Sequence, residues 1–150
     1  MTMLPPSEPE LVDQAAILAV VVTYATALDT KDFEALRGLF TDDVVWEYRG
    51  LVGPLHGADA IVGMMRSSLE HLDATQHLNG NHVITVRGDE AEHVGYFQAM
   101  HVRIGHPGGE QYLGAGRYED TFRRTVEGWR LSSRMASSVW STGNPSVLAR

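Results

Sequence analysis

Apolar residues first recur in a regular way at Leu11, Ala15, Leu18, Val22 and Ala25, at steps of 4, 3, 4 and 3. That spacing predicts an amphipathic helix, preceded by an irregular arm over residues 1–10 that carries Pro5, Pro6 and Pro9. The next step of four lands on Asp29, so a carboxylate extends an apolar stripe into a place where water is scarce. A short second helix is expected from about Asp32 to Phe40, and the alternating, β-rich Val44–Tyr48 reads as a strand. Gly50, Gly53, Pro54 and Gly57 read as a loop. Asp59 to Leu72 predicts a third helix with Ile61, Met64, Met65 and Leu69 on its apolar face. The rest is strand-like over about 78–87, 91–104, 111–126 and 129–140, with turns at Gly88-Asp89, Pro107-Gly108-Gly109 and Glu127-Gly128, and a tail over 141–150. Helices followed by consecutive antiparallel strands predict one α+β domain, the helices packed on one face of a curved sheet.

Composition narrows the chemistry. A length of 150 residues with 43% apolar content suits a single core. A formal charge of -7, and Lys and Arg scattered rather than striped, argue against nucleic acid as a partner. The chain has no cysteine, which excludes disulfides, thiol nucleophiles and Cys-type zinc sites. Seven histidines occur without a His-x-His or His-Glu-x-x-His spacing, so no metal site is expected. The first ten residues lack Lys and Arg, and the longest apolar run, Ala15 to Val22, is too short to span a bilayer. The expectation is a cytoplasmic protein without a membrane partner.

Several segments together resemble the SnoaL-like group of the nuclear transport factor 2-like superfamily. They are Tyr24-Ala-x-x-Leu28-Asp29, Asp32-Phe33-x-x-Leu36, Leu39-Phe40-x-Asp42-Asp43 and Gly57-x-x-Ala60-Ile61. Thr75-Gln76-His77, Gly116-x-Tyr118-x-Asp120 and Gly128-Trp129-Arg130-Leu131 continue the pattern, which covers about residues 10–140. The resemblance implies a cone-shaped α+β fold with three N-terminal helices. Within the group the chain is most similar to scytalone dehydratase, and more loosely to bile-acid 7α-dehydratase and hexachlorocyclohexane dehydrochlorinase. These are cofactor-free lyases in which a His, oriented by an Asp, removes a proton. The resemblance carries those roles to His77 and Asp29, and the role of a first-strand Tyr that holds a water or carbonyl to Tyr48. It also implies departures. A second family Tyr is Leu28 here, a second pocket His falls at Arg103, and the Leu113–Gly116 region supplies no counterpart to the family's polar Ser and Asn.

An imidazole titrating near pH 6.5 can take a proton at neutral pH, and a carboxylate on its other nitrogen fixes the tautomer and stabilises the imidazolium. Two readings of Asp29 stay open at this point, because Asp29-Thr30-Lys31-Asp32 precedes a short helix and Asp is also a preferred N-cap. Trp46 shares a strand face with Tyr48, and Phe97, Ala99, His101 and Arg103 share a face of the strand over 91–104; these are the expected substrate-lining residues. The functions expected are a lyase or isomerase for a small hydrophobic cyclic hydroxy-carbonyl compound, a polyketide cyclase of the same fold, or a non-catalytic scaffold like a dioxygenase β-subunit. Sheets of this superfamily commonly pair through their outer faces, so a homodimer or homotrimer is expected.

Overall fold

The computed structural model describes residues 4–150. The helices are α1 (Glu8–Thr30), α2 (Phe33–Arg37) and α3 (Ala58–Leu69). The strands are β1 (Phe40–Tyr48), β2 (Val52–His56), β3 (Ala74–Arg87), β4 (Glu90–Val102), β5 (Gln111–Thr125) and β6 (Gly128–Gly143). A 3-10 turn, Pro145–Leu148, closes the chain. One six-stranded sheet runs in the order β2-β1-β6-β5-β4-β3, antiparallel except for the parallel β1–β6 pair. This is the α+β cone, with the helices on the inner face of a curved, mainly antiparallel sheet.

Local chemistry sets the helix ends. Ser7 and Glu10 form a reciprocal capping box, so α1 begins at Glu8, inside the stretch expected to be irregular; residues 1–3 of that arm lie outside the described residues. Lys31, in the left-handed region at φ 56°, ends α1. Its ammonium then donates to the Glu70 and Leu72 carbonyls, tying α1 to the end of α3. Asp32 caps α2, accepting from the Ala35 N–H at 3.0 Å. Asp29 is therefore free of any capping duty.

Periodicity misplaced the buried face of α1. Ile17, Val21, Tyr24, Ala25, Ala27 and Leu28 are buried, whereas Leu11 and Val22 are 51% and 53% exposed and Ala15 faces outward. The helix is apolar on every side and carries no charge between Asp13 and Asp29, so spacing alone could not choose a face. By length and composition α1 would also suffice to cross a membrane, contrary to the reading of its longest apolar run; here its inner side packs on the sheet.

Three further expectations are corrected. The Gly/Pro segment is not all loop: β2 pairs with β1, with Gly53-Pro54 in the cis form. Strand β3 starts at Ala74, four residues early, because the neighbouring β4 extends the ladder to Ala74↔Val102. The tail is ordered: β6 runs to Gly143, Val147 is fully buried in the main core, and His71 Nε2 donates to the Val147 carbonyl at 3.2 Å.

Candidate functional site

The C-terminal end of α1 lies against the start of β3, and this juxtaposition builds the dyad. His77 Nδ1 is 2.7 Å from Asp29 Oδ1. A carboxylate can only accept, so Nδ1 carries the proton and neutral His77 keeps its lone pair on Nε2. Asp29 Oδ2 accepts the His77 backbone N–H at 2.9 Å, and Oδ1 also accepts from the Thr75 hydroxyl at 3.0 Å. Burial pushes the Asp29 carboxyl up, but the bonds from His77 and Thr75 outweigh it and hold the carboxyl below its ordinary range. The His77 side chain is only 8% exposed. The dyad thus has a fixed tautomer, an ionised carboxylate and one imidazole nitrogen left for a substrate.

Strand alternation surrounds it. Thr75, His77 and Asn79 face inward on β3, as do Phe97, Ala99 and His101 on β4, paired as Thr75↔His101, His77↔Ala99 and Asn79↔Phe97. His101 lies with its ring centre 6.0 Å from that of His77 and donates from Nδ1 to the Tyr112 carbonyl at 3.2 Å. Burial, then the neighbouring His77, push the His101 imidazole down to about 4, so it is neutral at pH 7. Gly114 stands in register with Ala99, leaving little side chain across from His77. Tyr48 is half-buried, edge-on to Phe97 and to Trp46, and burial raises its phenol. Trp46 is buried and donates from Nε1 to the Tyr24 hydroxyl at 3.1 Å. Of the residues named from the sequence, Asp29, His77, Ala99 and His101 stand together, Tyr48 and Phe97 meet edge-on one row away, and Trp46 is turned to Tyr24. Arg103 lies beyond the end of β4, where alternation stops, and its guanidinium donates to the Ala149 carbonyl at 2.7 Å. His101, not Arg103, is the second imidazole beside His77.

A second Asp–His pair escaped sequence reasoning. His93 Nδ1 donates to Asp120 Oδ2 at 2.7 Å, and Asp120 also accepts two bonds of 2.8 Å from Arg134. All three side chains are 0–1% exposed. His82 Nδ1 lies 3.0 Å from His93 Nε2 and extends the chain outward. The Arg134 guanidinium sits 4.2 Å from the Tyr24 ring centre and 3.7 Å from that of Tyr118, which stacks on Phe97. Along β4 this cluster is six residues, about 20 Å, from Ala99 beside the dyad. The alternating His93-x-Gly95-x-Phe97 and Tyr118-x-Asp120-x-Phe122 place a His and a carboxylate among buried aromatics, and that was the available signal.

Surface concavities lie elsewhere. One of about 550 Å³ is bordered by Gly108, Gln111 and Asn144, and one of about 370 Å³ by Tyr96, Gln98, Arg117 and Trp140 on the outer face of the sheet. Neither contains a histidine, so they lack the acid–base chemistry that the dyad offers.

Residues 9–135 match the SnoaL-like domain. The "Uncharacterized protein Rv2910c" of Mycobacterium tuberculosis is 32% identical over 133 residues, 87% of this chain and 88% of that protein. The Kfla4162 protein of Kribbella flavida superimposes with a TM-score of 0.86 at 25% identity, over 94% of this chain and 99% of its own. A protein of Novosphingobium aromaticivorans assigned as a scytalone dehydratase gives 0.82 at 25% identity, covering 90% and 89%. With the family model spanning most of the chain and the fold matching throughout, the protein belongs to the SnoaL-like family of nuclear transport factor 2-like folds, with a dehydratase-type protein among its structural neighbours.

Proposed function

We propose that the protein is a cofactor-independent lyase or isomerase whose general base is His77, oriented by Asp29. The observation that carries this reading is the pairing of a carboxylate engaged by neutral donors with an imidazole that keeps its Nε2 free. His77 Nε2 takes a proton from the carbon next to a carbonyl of a small hydrophobic cyclic hydroxy-carbonyl compound. The C–H electron pair moves into an enolate, whose oxygen is stabilised by the Tyr48 hydroxyl or a water it holds. In elimination the enolate collapses, the β C–O bond breaks, and hydroxide leaves as water with the proton returned by the imidazolium. In isomerisation of a substrate with a β,γ double bond, the anion is a dienolate and the same proton returns to its γ carbon. Positioned general-base help of this kind is worth about 10²–10⁴ in rate. A scaffold function would give Asp29 no reason to orient His77, so the dyad favours the enzyme over that rival.

The outer face of the sheet, with Leu78, Val83, Tyr96, Val139 and Trp140 exposed, suits pairing into a homodimer or homotrimer. Light scattering at micromolar concentration tests the assembly, and a monomer mass rejects it. For the chemistry, a panel of cyclic β-hydroxy ketones in D₂O followed by NMR reads α-deuterium exchange and loss of water together. Enzyme-dependent exchange that vanishes in His77→Ala is expected; exchange undiminished in that variant would end the reading.

A further inference from the structure

One inward-facing polar group near the dyad has no partner. Asn79 follows His77 by two residues on β3, so their side chains project from the same face about 7 Å apart. The groups around it are engaged: Thr75 and His77 bind Asp29, and His82 binds His93. Asn79 Oδ1 is buried and has no hydrogen-bond partner among the described residues. A buried acceptor left unpaired lowers stability, and such groups need a reason to persist.

The backbone of Asn79 pairs with Phe97 of β4 just before a bulge. Its strand breaks register between Gly80 and Val83, with Asn81 at φ 49°, and this bulge shifts the inward parity from 75, 77, 79 to 82, 84, 86. The bulge turns the His82 ring toward His93, to which its Nδ1 donates at 3.0 Å. Through His93 and Asp120 that ring is tied to buried Arg134. The Asn79 side chain thus stands on β3 between the dyad and the second cluster, its oxygen without a partner among the described residues. Beside it lies Phe97, and across from Phe97 stands Gly116, where a Cβ would meet the Ser137 carbonyl oxygen at 2.0 Å and the Phe97 ring at 2.9 Å. With Ala99 and Gly114 in the His77 row, the wall between the two polar residues is flat and low.

We propose that Asn79 is a specificity-determining residue whose side-chain oxygen accepts a hydrogen bond from a ring hydroxyl of the substrate, across one six-membered ring from the carbon that His77 deprotonates. The substrate class is then a flat cyclic carbonyl compound with a hydroxyl at the far end of its ring. This rests on the His77 reading for the reacting end only.

Suitable probes are 4-hydroxyacetophenone, acetophenone and 4-methoxyacetophenone, titrated by NMR into wild type, His77→Ala and Asn79→Leu. The hydroxy compound should bind wild type and His77→Ala roughly 3- to 10-fold more tightly than the other two, the range expected for one neutral hydrogen bond. Asn79→Leu should lose that preference. Without ligand, Asn79→Leu should melt at or above the wild-type temperature, since an unpaired buried acceptor is replaced by an apolar group. No preference or no binding in wild type, tighter binding of the methoxy compound, or a preference surviving in Asn79→Leu overturns the proposal. A melting point several degrees lower also overturns it, because Asn79 would then serve the fold or an ordered water. Methyl deuterium exchange on the same probe separates the two readings: if it persists in His77→Ala while the hydroxyl preference stands, only the base assignment falls.

Discussion

Two Asp–His pairs share one distance, 2.7 Å from carboxylate to Nδ1, and differ in almost everything else. Asp29 is partly open at 22% exposure and accepts only from neutral donors, so its charge remains available to an imidazolium on His77. Asp120 is fully buried and already neutralised by the two-pronged contact from Arg134. Among the described residues His77 keeps one nitrogen without a partner, whereas His93 has its second nitrogen taken by His82. Under the proposed function, proximity of an acid and an imidazole is not enough to make a base. The carboxylate must lack a competing cation, and the imidazole must keep a nitrogen within reach of a ligand.

The sharpest way to break this comparison is to remove each carboxylate's charge. Asp120→Asn leaves Arg134 buried without a counter-ion and should cost about 3–5 kcal/mol in denaturant unfolding. The joint replacement Asp120→Leu with Arg134→Met should recover most of that loss. Asp29→Asn turns an amide NH2 toward a donor, so it should cost only about 1–3 kcal/mol in unfolding, and it should slow α-deuterium exchange by about 10²–10⁴, because an amide can hold the wrong tautomer and cannot stabilise the imidazolium. Equal stability costs at the two positions would mean that both carboxylates serve the fold alike.

Acid should act through imidazoles of both regions. His101, pushed down to about 4, and His82, lowered by burial and by His93, are neutral in the fold but take up protons near pH 6.5 once unfolded. Their folded values are depressed, so this stability is fully present above about pH 6.5 and is lost as the pH falls. For His101 the loss is complete only below about 4 and amounts to roughly 3 kcal/mol. Melting temperature followed from pH 7 to 4 should fall less steeply in His101→Gln than in wild type.

A smaller contrast lies between two glycines. At Gly95 a Cβ would approach His93 Nε2 to 2.9 Å and His82 Nδ1 to 3.2 Å, so Gly95→Ala should cost about 1–3 kcal/mol by forcing the rings apart. At Gly114 the nearest neighbour is the Tyr112 ring at 3.6 Å, an ordinary contact, and Gly114→Ala should cost under about 1 kcal/mol. Denaturant midpoints of the two variants check the order.

The linear pattern determined much of this protein: the order of helices and strands, the hairpin turns, the SnoaL-like motifs, and Asp29 and His77 as the pair to examine. These depend on neighbours within a few positions, or on motif spacing, both visible in one dimension. Strand β2 was hidden because its Gly53-Pro54 core reads as a turn until β1 supplies a ladder for it. Only the packed chain decided which side of the uniformly apolar α1 faces the sheet. Only strand pairing decided that β4 ends before Arg103, which makes His101 the neighbour of His77. Asp120 was visible in a family motif, yet its bonds to His93, 27 positions away, and to Arg134 exist only once β4, β5 and β6 are in register. Periodicity records which residues prefer burial, but the partner of a buried charge is set by register between distant strands, which no local pattern encodes.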